Sequence, residues 1–312
     1  MKHLIVINDK AGIPSEKEAL LAQVDVDFKG LDYEVYKTTA PRSVIEFLKE
    51  YFSKNTKETV RVYACGGDGT VNEVVNGLVG FKNAELAIIP CGTGNDFVKV
   101  YGVENADAMK IRDFKSAIEG KPIEVDISKV ETKDPEETAY SINVVNIGFD
   151  AMVGANGSRN ARKGKKDPYG ASAIVPAIFK GRFNKIIIKA DGEQLNKKRL
   201  TLCSVAQGQV IGGKYHAAPK SDNTDGYLDI ALIKCMSLPR LMIQYFGPYE
   251  KGTYLDNPKL AKRIVYRRSK EVEIIAVKNI DLCIDGEIRN GSYFKVSCVE
   301  KAIKLVPPTV KE

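Results

Sequence analysis

A glycine-rich loop between an apolar run and a helical segment constrains the fold of this chain most strongly. Residues 60–65 form the apolar run, and Gly66, Gly67 and Gly69 follow it within four positions. Glycine permits turns at positive φ and lets the backbone approach a ligand closely. The segment 70–80 has helical spacing, and free N–H groups at its start would attract an anion. The loop therefore predicts a phosphate-binding turn, although a plain tight turn between strand and helix is the alternative.

The first 125 residues alternate between the two kinds of pattern. Strands are predicted at 3–7, 33–36, 60–65 and 86–90, and helices at 15–28, 41–54 and 70–80. This alternation is typical of a parallel, doubly wound sheet with helices on both faces. Ligands of such sheets bind beyond the carboxyl ends of the strands.

A second loop of the same kind follows the strand predicted at 86–90, and it reads Cys91-Gly92-Thr93-Gly94-Asn95-Asp96. Its glycines could cradle phosphate and Asn95 could hydrogen-bond a nucleotide, while Asn95 or Asp96 could equally cap a helix. Two such loops at strand ends predict one shared cleft. Neither loop is a Walker A or Rossmann motif, because no G-x-x-x-x-G-K-[ST] occurs and Phe97 replaces the third Rossmann glycine.

Asp68 lies inside the first loop, where a bare carboxylate would repel a phosphate. A divalent cation shared between the two would remove this conflict, so Asp68 is a candidate Mg²⁺ ligand. Thr70 and Glu73 have the spacing of a capping box at the start of the following helix.

The pattern changes near residue 122. Alternating β-type runs predict strands at 123–130, 139–149, 184–190, 199–210, 227–233, 271–277 and 280–285, with helices at 169–180 and 237–247. We therefore expect an α/β N-terminal doubly wound domain at 1–124 and a larger, mainly antiparallel C-terminal domain at 125–293, which would be a β-sandwich or a barrel. The C-terminal tail, about 294–312, could return to the N-terminal domain.

Composition excludes several classes of protein. With 312 residues, 44% hydrophobic and 28% charged, the chain is neither disordered nor collagen-like nor a coiled coil. No apolar run approaches the ~20 residues of a membrane-spanning helix, and the N-terminus does not resemble a signal peptide. The six cysteines contain no C-x-x-C pair and are expected as core thiols in a reducing compartment. Two histidines give little support to a multi-His metal site.

The net charge of +7 permits an anionic partner without choosing one. Residues 156–166 hold five basic residues and no acid, and an apolar helix candidate follows at 173–179. A basic loop beside an apolar helix could dock on anionic lipid. A second acid-free patch comprises Lys262, Arg263, Arg267, Arg268 and Lys270. A solvated surface is the alternative for both. Nucleic acid is not expected, because no RNA-binding motif or recognition helix is present.

The two glycine loops together resemble the diacylglycerol kinase catalytic domain family, which includes bacterial lipid kinases and the sphingosine and ceramide kinases. The resemblance rests on GGDGTVNEVVNG at 66–77 followed by PCGTGNDF at 90–97. NAD kinases share the first loop, so the second makes the resemblance specific. It extends over the chain through NVVNIGFDA at 143–151, the segment 212–229 and IDGE at 284–287. It implies the two-domain NAD kinase/diacylglycerol kinase-like fold.

The resemblance implies a kinase that uses ATP and Mg²⁺ to phosphorylate a lipid hydroxyl, with diacylglycerol as the expected acceptor and phosphatidate as the product. The implied nucleotide site comprises Asn8, Gly12, Thr38, Gly66, Gly67, Asp68, Gly69, Thr70, Asn72, Thr93, Asn95 and Asp96. Asn8 and Gly12 match the family's usual N-P-x-S-G, whereas its proline and serine are absent. We expect a cytoplasmic enzyme, peripheral at the inner face of the membrane, whose lipid substrate lies at an anionic surface. Whether the chain forms a homodimer stays an open question.

The resemblance assigns the general base to Glu287. A second Asp-Gly-Glu stands at 191–193, and Asp-Gly between strands is a common hairpin turn, so only the order along the chain favours Glu287. Asp68 as the base, with Glu287 assisting the metal, is the competing assignment.

A candidate metal site lies at the turn 221–226. The spacing of Asp222 and Asp225 suits a hard cation that also binds a backbone carbonyl, such as that of Tyr227. In similar bacterial diacylglycerol kinases such a site is structural. A solvated acidic turn is the alternative.

Three other functions compete with a diacylglycerol kinase. The acceptor could be another lipid, such as phosphatidylglycerol or a sphingoid base. An NAD kinase would use the same first loop, but the loop at 92–96 argues against it. A non-catalytic lipid or nucleotide sensor is disfavoured because Asp68, Asp96 and Glu287 are all present.

Overall fold

The computed structural model describes residues 1–8, 14–92, 94–102, 113–164, 166, 169–180, 185–197 and 199–309. The chain divides into an N-terminal unit, Met1–Asp126 with Lys301–Glu312, and a second unit, Ile127–Glu300. Two residues of the predicted nucleotide site, Gly12 and Thr93, lie outside the described residues. Among those described, no helix is long and apolar enough to cross a membrane.

The N-terminal unit contains a parallel sheet with helices between its strands, as the sequence predicts. Its strands are β1 (Lys2–Ile7), β2 (Tyr33–Lys37), β3 (Val60–Gly66) and β4 (Ala84–Pro90). Its helices are α1 (Pro14–Asp27), α2 (Ser43–Lys54), α3 (Asp68–Leu78) and α4 (Phe114–Glu119). The strand order is β2-β1-β3-β4, and residues 304–306 add a parallel strand beside β4.

Aromatic rings fill the core of this unit because its central strands are buried on both faces. All seven residues of β3 are buried. Phe28 packs edge-on against Tyr63 at 5.0 Å and against Phe114 at 5.4 Å between ring centroids. Burial of such large side chains provides most of the stabilisation of a parallel sheet of this type.

The second unit is rich in antiparallel strands. They are β5 (Ile123–Lys133), β6 (Glu136–Ser141), β7 (Val144–Gly148), β8 (Ile186–Ala190), β9 (Glu193–Gln194), β10 (Leu200–Ala206), β11 (Val210–Ile211), β12 (Tyr215–His216), β13 (Leu228–Lys234), β14 (Ile264–Ser269), β15 (Glu271–Ile284) and β16 (Glu287–Val306). The order β14-β13-β10-β7-β15-β16 forms its main sheet, in which neighbours pair antiparallel. The predicted strand 139–149 is two strands, because the backbone N–H groups between them bond to a side chain described below.

The helices of the second unit depart from the prediction at one place. They are α5 (Phe149–Arg162), α6 (Ala171–Lys180), α7 (Leu238–Arg240), a π-helix (Leu241–Tyr245) and α8 (Phe246–Glu250). The basic loop predicted at 156–166 is wrong over 156–162, which belong to α5. Ala151 and Ala155, four residues apart, are buried on one face of this helix. Packing of this face outweighs the low helix propensity of Gly154 and Gly157.

The C-terminal tail contains one long strand that pairs with strands at two places along the sheet. Strand β16 pairs with β15 from Glu287 to Ser297, and its last residues pair with β4. Between these parts, Lys301 adopts φ 51°, and its N–H donates to Asp126 Oδ1 at 2.7 Å. The carboxylate of Asp126 thus compensates the ladder hydrogen bond that is lost at this irregular position.

Candidate active site

The two glycine loops touch each other through their backbones. They leave the neighbouring strands β3 and β4 at the same edge, and the Cys91 N–H donates to the Gly66 carbonyl at 2.9 Å. A Cβ placed on Gly92 would lie 2.5 Å from Gly67 Cα, and one placed on Gly67 would lie 3.2 Å from Gly92 Cα. Glycine is therefore required at both positions by close approach of the two loops. The structure thus brings the two loops together, and the shared cleft that the sequence predicts for them stays a prediction.

Asp68 joins the first loop to the second. It is the first residue of α3, and its Oδ1 accepts the N–H groups of Asp96 at 2.6 Å and Phe97 at 3.4 Å. The carboxylate thereby caps the short 3₁₀ helix Phe97–Tyr101 from another element of the chain. Capping of this helix by the side chain of Asn95 or Asp96 is wrong, because Asp96 at the N-cap makes no side-chain capping bond and Asn95 bonds to Gly92.

Asn95 closes the second loop upon itself. Its Nδ2 donates to the Gly92 carbonyl at 2.7 Å, and its Oδ1 accepts the Gly92 N–H at 3.0 Å. Asn95 has φ 48°, a left-handed conformation that asparagine tolerates better than most residues. The side chain therefore shapes the loop through both of its polar atoms.

Two carboxylates converge on Gly94. A Cβ placed on this residue would lie 2.9 Å from Asp68 Oδ2 and 3.6 Å from Asp96 Oδ1. Lys99 Nζ lies 3.3 Å from the same Asp96 oxygen, and both of these side chains are largely buried. Carboxylate oxygens are the ligands that Mg²⁺ prefers. The two carboxylates at this loop thus suit a hard divalent cation, and Lys99 offsets part of their negative charge.

A row of polar side chains lies across the carboxyl ends of the first three strands. Thr38 Oγ1 donates to Asn8 Oδ1 at 3.5 Å, and Asn8 Nδ2 donates to Thr70 Oγ1 at 3.1 Å. Backbone bonds hold the row in place, because the Asn8 N–H donates to Cys65 and the Thr38 N–H to Ile7. The structure therefore brings together three of the side chains that the sequence assigns to nucleotide binding.

The capping box predicted for α3 is wrong. The N-cap residue is Gly67, which has no side chain to form a cap, and the Thr70 hydroxyl instead contacts Asn8. Glu73 Oε1 accepts the N–H of Arg42 at 3.0 Å, on a neighbouring loop. The uncapped N–H groups at the start of α3 remain suited to an anion.

The remaining predicted residues of α3 differ in their surroundings. Asn72 is buried, and its carbonyl and Oδ1 accept from Asn76 Nδ2 at 2.8 and 3.3 Å, so its side chain is engaged within the helix. Gly69 lies where a Cβ would meet nothing within 4 Å. Gly66 is crowded, because a Cβ there would lie 2.3 Å from Thr70 Oγ1.

Glu287 begins β16 directly after a two-residue turn of the second unit. Ile284 and Glu287 form the last pair of the β15–β16 hairpin, and Asp285 and Gly286 both have positive φ, 47° and 94°. This is the type I′ turn that Asp-Gly favours. Glu287 is exposed, and within the described residues its carboxylate makes no hydrogen bond or ion pair. It is therefore available to accept a proton from a ligand.

Asp285 holds this turn in place, a role that the sequence analysis missed. Its Oδ1 accepts from the Ser141 hydroxyl at 2.6 Å and from the N–H groups of Asn143 and Val144 at 3.2 and 3.0 Å. Its Oδ2 accepts the Ile142 N–H at 2.9 Å. Four donors from the β6–β7 connection thus fix the orientation of the hairpin that presents Glu287. The partners lie more than 140 positions away, so local sequence could not have revealed them.

The second Asp-Gly-Glu has the same turn but a different glutamate. Asp191 and Gly192 have φ of 47° and 81°, and Asp191 Oδ1 accepts the N–H groups of Lys270 and Glu271. Glu193, however, forms an ion pair with Arg267 at 2.6 Å. Both aspartates are structural, and only the glutamate at 287 is left unpaired within the described part of the chain.

The predicted metal turn uses its carboxylates for other contacts. Asp222 Oδ1 accepts from the Thr224 N–H at 2.9 Å, and Asp225 Oδ1 accepts the Tyr227 N–H at 2.9 Å. Asp225 Oδ2 pairs with Arg268. No group of three or more His, Cys, Asp or Glu side chains suited to a metal occurs among the described residues. A cation at this turn would have to displace Arg268 from Asp225, and the metal site stays a prediction.

Asp150 is a part-buried carboxylate that the sequence did not single out. It lies in the first turn of α5, where Tyr249 donates to its Oδ2 at 2.7 Å. Burial raises the pKa of this carboxyl to about 6, against the opposing effect of the tyrosine hydrogen bond. The rings of Tyr245 and Tyr254 surround Tyr249 at 4.8 and 5.5 Å between centroids. A carboxyl in such surroundings is a candidate for contact with a polar part of a ligand.

Ion pairs neutralise three of the five cations in the second basic patch. Arg267 pairs with Glu193, Arg268 with Asp225, and Lys270 with Glu300 at 2.5 Å. The sequence could not show this, because each acid comes from a distant part of the chain. These pairs reduce, but do not remove, the positive charge that the patch offers to an anionic partner.

Comparison with known proteins identifies the family. The profile of the diacylglycerol kinase catalytic domain matches residues 2–130, and that of the YegS C-terminal NAD kinase beta sandwich-like domain matches residues 143–307. The chain belongs to this lipid kinase family. The family resemblance and the two-part fold predicted from the sequence are thereby confirmed.

Named relatives of this lipid kinase family member cover most of its length. A diacylglycerol kinase of Bacillus subtilis (strain 168) is 28% identical, over 91% of this chain and 88% of that protein. A probable lipid kinase YegS-like of Klebsiella pneumoniae (strain 342) is also 28% identical, over 98% of this chain and 96% of that protein. The crystal structure of a diacylglycerol kinase from Bacillus anthracis str. Sterne aligns with a TM-score of 0.67 at 21% identity, covering 98% and 96% of the two chains. At this identity the structural likeness supports the fold alone.

Proposed function

We propose that this lipid kinase transfers the γ-phosphate of ATP to the hydroxyl of diacylglycerol and forms phosphatidate. The observation that carries the proposal is the contact between two glycine loops, with Asp68 bridging them and Asp96 beside it. Such a backbone cradle at strand ends suits a polyphosphate. The name of the Bacillus subtilis relative supports diacylglycerol as the acceptor.

The residues of the N-terminal unit fit ATP and Mg²⁺. Close approach of Gly67 and Gly92 leaves no room for side chains between the two loops, and Asn8, Thr38 and Thr70 add polar groups at the same strand ends. The Asp68 and Asp96 carboxylates would hold the metal. Bound Mg²⁺ would neutralise charge on the phosphate oxygens.

The acceptor hydroxyl needs a group that takes its proton. In the proposed reaction its oxygen forms a bond to the γ-phosphorus, the bond from that phosphorus to the β–γ bridging oxygen breaks, ADP leaves, and the proton passes to Glu287. The unpaired carboxylate of Glu287 favours this assignment over Asp68, whose Oδ1 already accepts two N–H groups. Most of the rate acceleration comes from positioning and charge neutralisation.

The substrate implies a place of action. Diacylglycerol resides in bilayers, so we propose that the enzyme works peripherally at the anionic inner face of the membrane. A structural cation at Asp222 and Asp225, bound also by the Tyr227 carbonyl, remains part of the proposal.

Glu287→Gln tests the assignment of the base, and the second hairpin offers a matched control. We expect Glu287→Gln to lower turnover by about 10²-fold or more, because a general base is lost, while ATP affinity is unchanged. Glu193→Gln, which alters the equivalent position of the other Asp-Gly-Glu, should leave turnover near that of the parent. The measurement is transfer from labelled ATP to diacylglycerol in mixed micelles, with ATP binding measured separately. Near-normal turnover of Glu287→Gln would exclude it as the base and favour Asp68.

A further inference from the structure

Two helical elements of the second unit expose large apolar side chains. Val175 and Phe179 on α6 are 48% and 63% exposed, and Met242 and Ile243 on the π-helix are 50% and 78% exposed. Isolated exposed apolar residues are ordinary on protein surfaces. Four on two elements that pack on the same core are more unusual and are typical of an interaction surface.

The two elements share one core beneath these side chains. Ala177 of α6 and Leu241 and Tyr245 of the π-helix belong to the same buried cluster. Phe149 of α5 also lies in it, and its ring centroid is 5.6 Å from that of Phe246. The inner faces of α6 and the π-helix thus pack on one cluster, to which α5 also contributes.

Helix α6 is apolar on its exposed side as well as on its buried side. Its sequence, ASAIVPAIFK, has polar side chains only at Ser172 and Lys180. Ala173 and Ala177 face the core, whereas Val175, Pro176 and Phe179 are exposed. A helix that is apolar around its whole circumference is expected to be covered on all sides.

The charge of the surrounding segments identifies what covers this surface. Residues 168–190 contain four basic residues and no acid, and residues 234–249 contain two basic residues and no acid. Lys163 and Lys166, which follow α5, are exposed. Apolar side chains bordered by cations match an anionic lipid surface, where the former enter the acyl boundary and the latter remain at the headgroups.

We propose that Val175, Phe179, Met242 and Ile243 form an apolar helical face that inserts into the surface of an anionic bilayer. Apolar insertion is thereby assigned to α6 and the π-helix together, in addition to the docking of the basic segment that the sequence suggested. The inference rests on the proposed function, because a kinase that acts on a bilayer lipid must meet the bilayer. Its binding step requires neither ATP nor catalysis, so it can be tested separately.

The test uses the full chain and vesicles of phosphatidylcholine with and without phosphatidylglycerol. In the variant, all four residues of the apolar helical face are changed to serine, and binding is measured by flotation without ATP. We expect at least about a tenfold loss of affinity for vesicles that contain phosphatidylglycerol, because the apolar area that enters the lipid is removed. Val277→Ser is the matched control, since Val277 is 90% exposed on β15, and it should bind like the parent. Equal melting temperatures would show that the folds are intact.

Kinase turnover separates this inference from the proposed function. With a short-chain, water-soluble diacylglycerol, the four-serine variant should match the parent. If the parent has no kinase activity but the four-serine variant still binds vesicles more weakly than the parent, the proposed function is refuted and the docking surface is supported. Vesicle affinity that is absent in the parent, or equal in the parent and the variant, would overturn the inference. A parent dimer that the four-serine variant dissociates, with vesicle binding retained, would overturn it in favour of a second copy of the chain.

Discussion

Replacing Asp150 with asparagine should change how the stability of the second unit depends on pH. Burial raises the pKa of the Asp150 carboxyl from its ordinary value of 3.8 to about 6 in the folded state. Between these pH values the folded chain holds a proton that the unfolded chain has released. The contribution of this carboxyl to stability is therefore greatest below pH 4, and it is lost as the pH rises through about 6.

The magnitude follows from the difference between the two pKa values. About two pH units at 1.36 kcal/mol each give a change of about 3 kcal/mol across the window from pH 4 to pH 6. Asp150→Asn cannot titrate, and its amide can still accept the hydrogen bond of Tyr249. Relative to the parent, the variant should therefore gain about 3 kcal/mol in free energy of unfolding between pH 4 and pH 7.5.

Urea unfolding at four or five pH values, without Mg²⁺ and followed by near-UV circular dichroism, measures this difference. The chain has no tryptophan, so tyrosines such as Tyr245, Tyr249 and Tyr254 contribute to the signal from the surroundings of Asp150. Asp256→Asn, an exposed carboxylate in the same unit, is the control and should give a curve close to that of the parent. Parallel stability curves for the parent and Asp150→Asn would refute the account of a strained, desolvated carboxyl at this position.

Two further substitutions test the loops and the catalytic hairpin. Gly92→Ala should destabilise the N-terminal unit by about 1–3 kcal/mol and weaken ATP binding, because its Cβ would collide with Gly67; Gly69→Ala, whose Cβ meets nothing, should melt within a degree or two of the parent. Equal melting of the two variants would contradict the close approach of the loops. Asp285→Ala should lower kcat at least about tenfold with the KM for ATP unchanged, because the turn that presents Glu287 loses four donors; an unaltered kcat would show that Asp285 does not position that residue.

Features encoded by short stretches of sequence were predictable. The strand–glycine–helix pattern identifies both loops, because an apolar run, a glycine and a helix start are adjacent in the chain. The same holds for the Asp-Gly turns, whose type I′ geometry follows from two residues. The alternation of strands and helices in the first 125 residues likewise predicted the parallel sheet of the N-terminal unit.

Features that depend on distant partners were not predictable. From the sequence, Asp68 is a candidate metal ligand. In the structure it also caps a helix that begins 29 positions later. Asp285 is fixed by the β6–β7 connection, and three cations of the second basic patch pair with acids from distant parts of the chain. Helix α5 was missed because its glycines and basic residues suggest a loop, whereas packing of one small-residue face decides its structure.

Phosphate transfer from labelled ATP to a panel of acceptors tests the central claim most directly. The panel comprises diacylglycerol, phosphatidylglycerol, sphingosine, ceramide and NAD, presented with Mg²⁺ and, for the lipids, in mixed micelles. The account predicts label in diacylglycerol, recovered as phosphatidate. Label in another lipid would support lipid kinase activity with a different acceptor. Label in NAD alone would contradict the account, and no label in any acceptor would contradict catalysis itself and support a sensor.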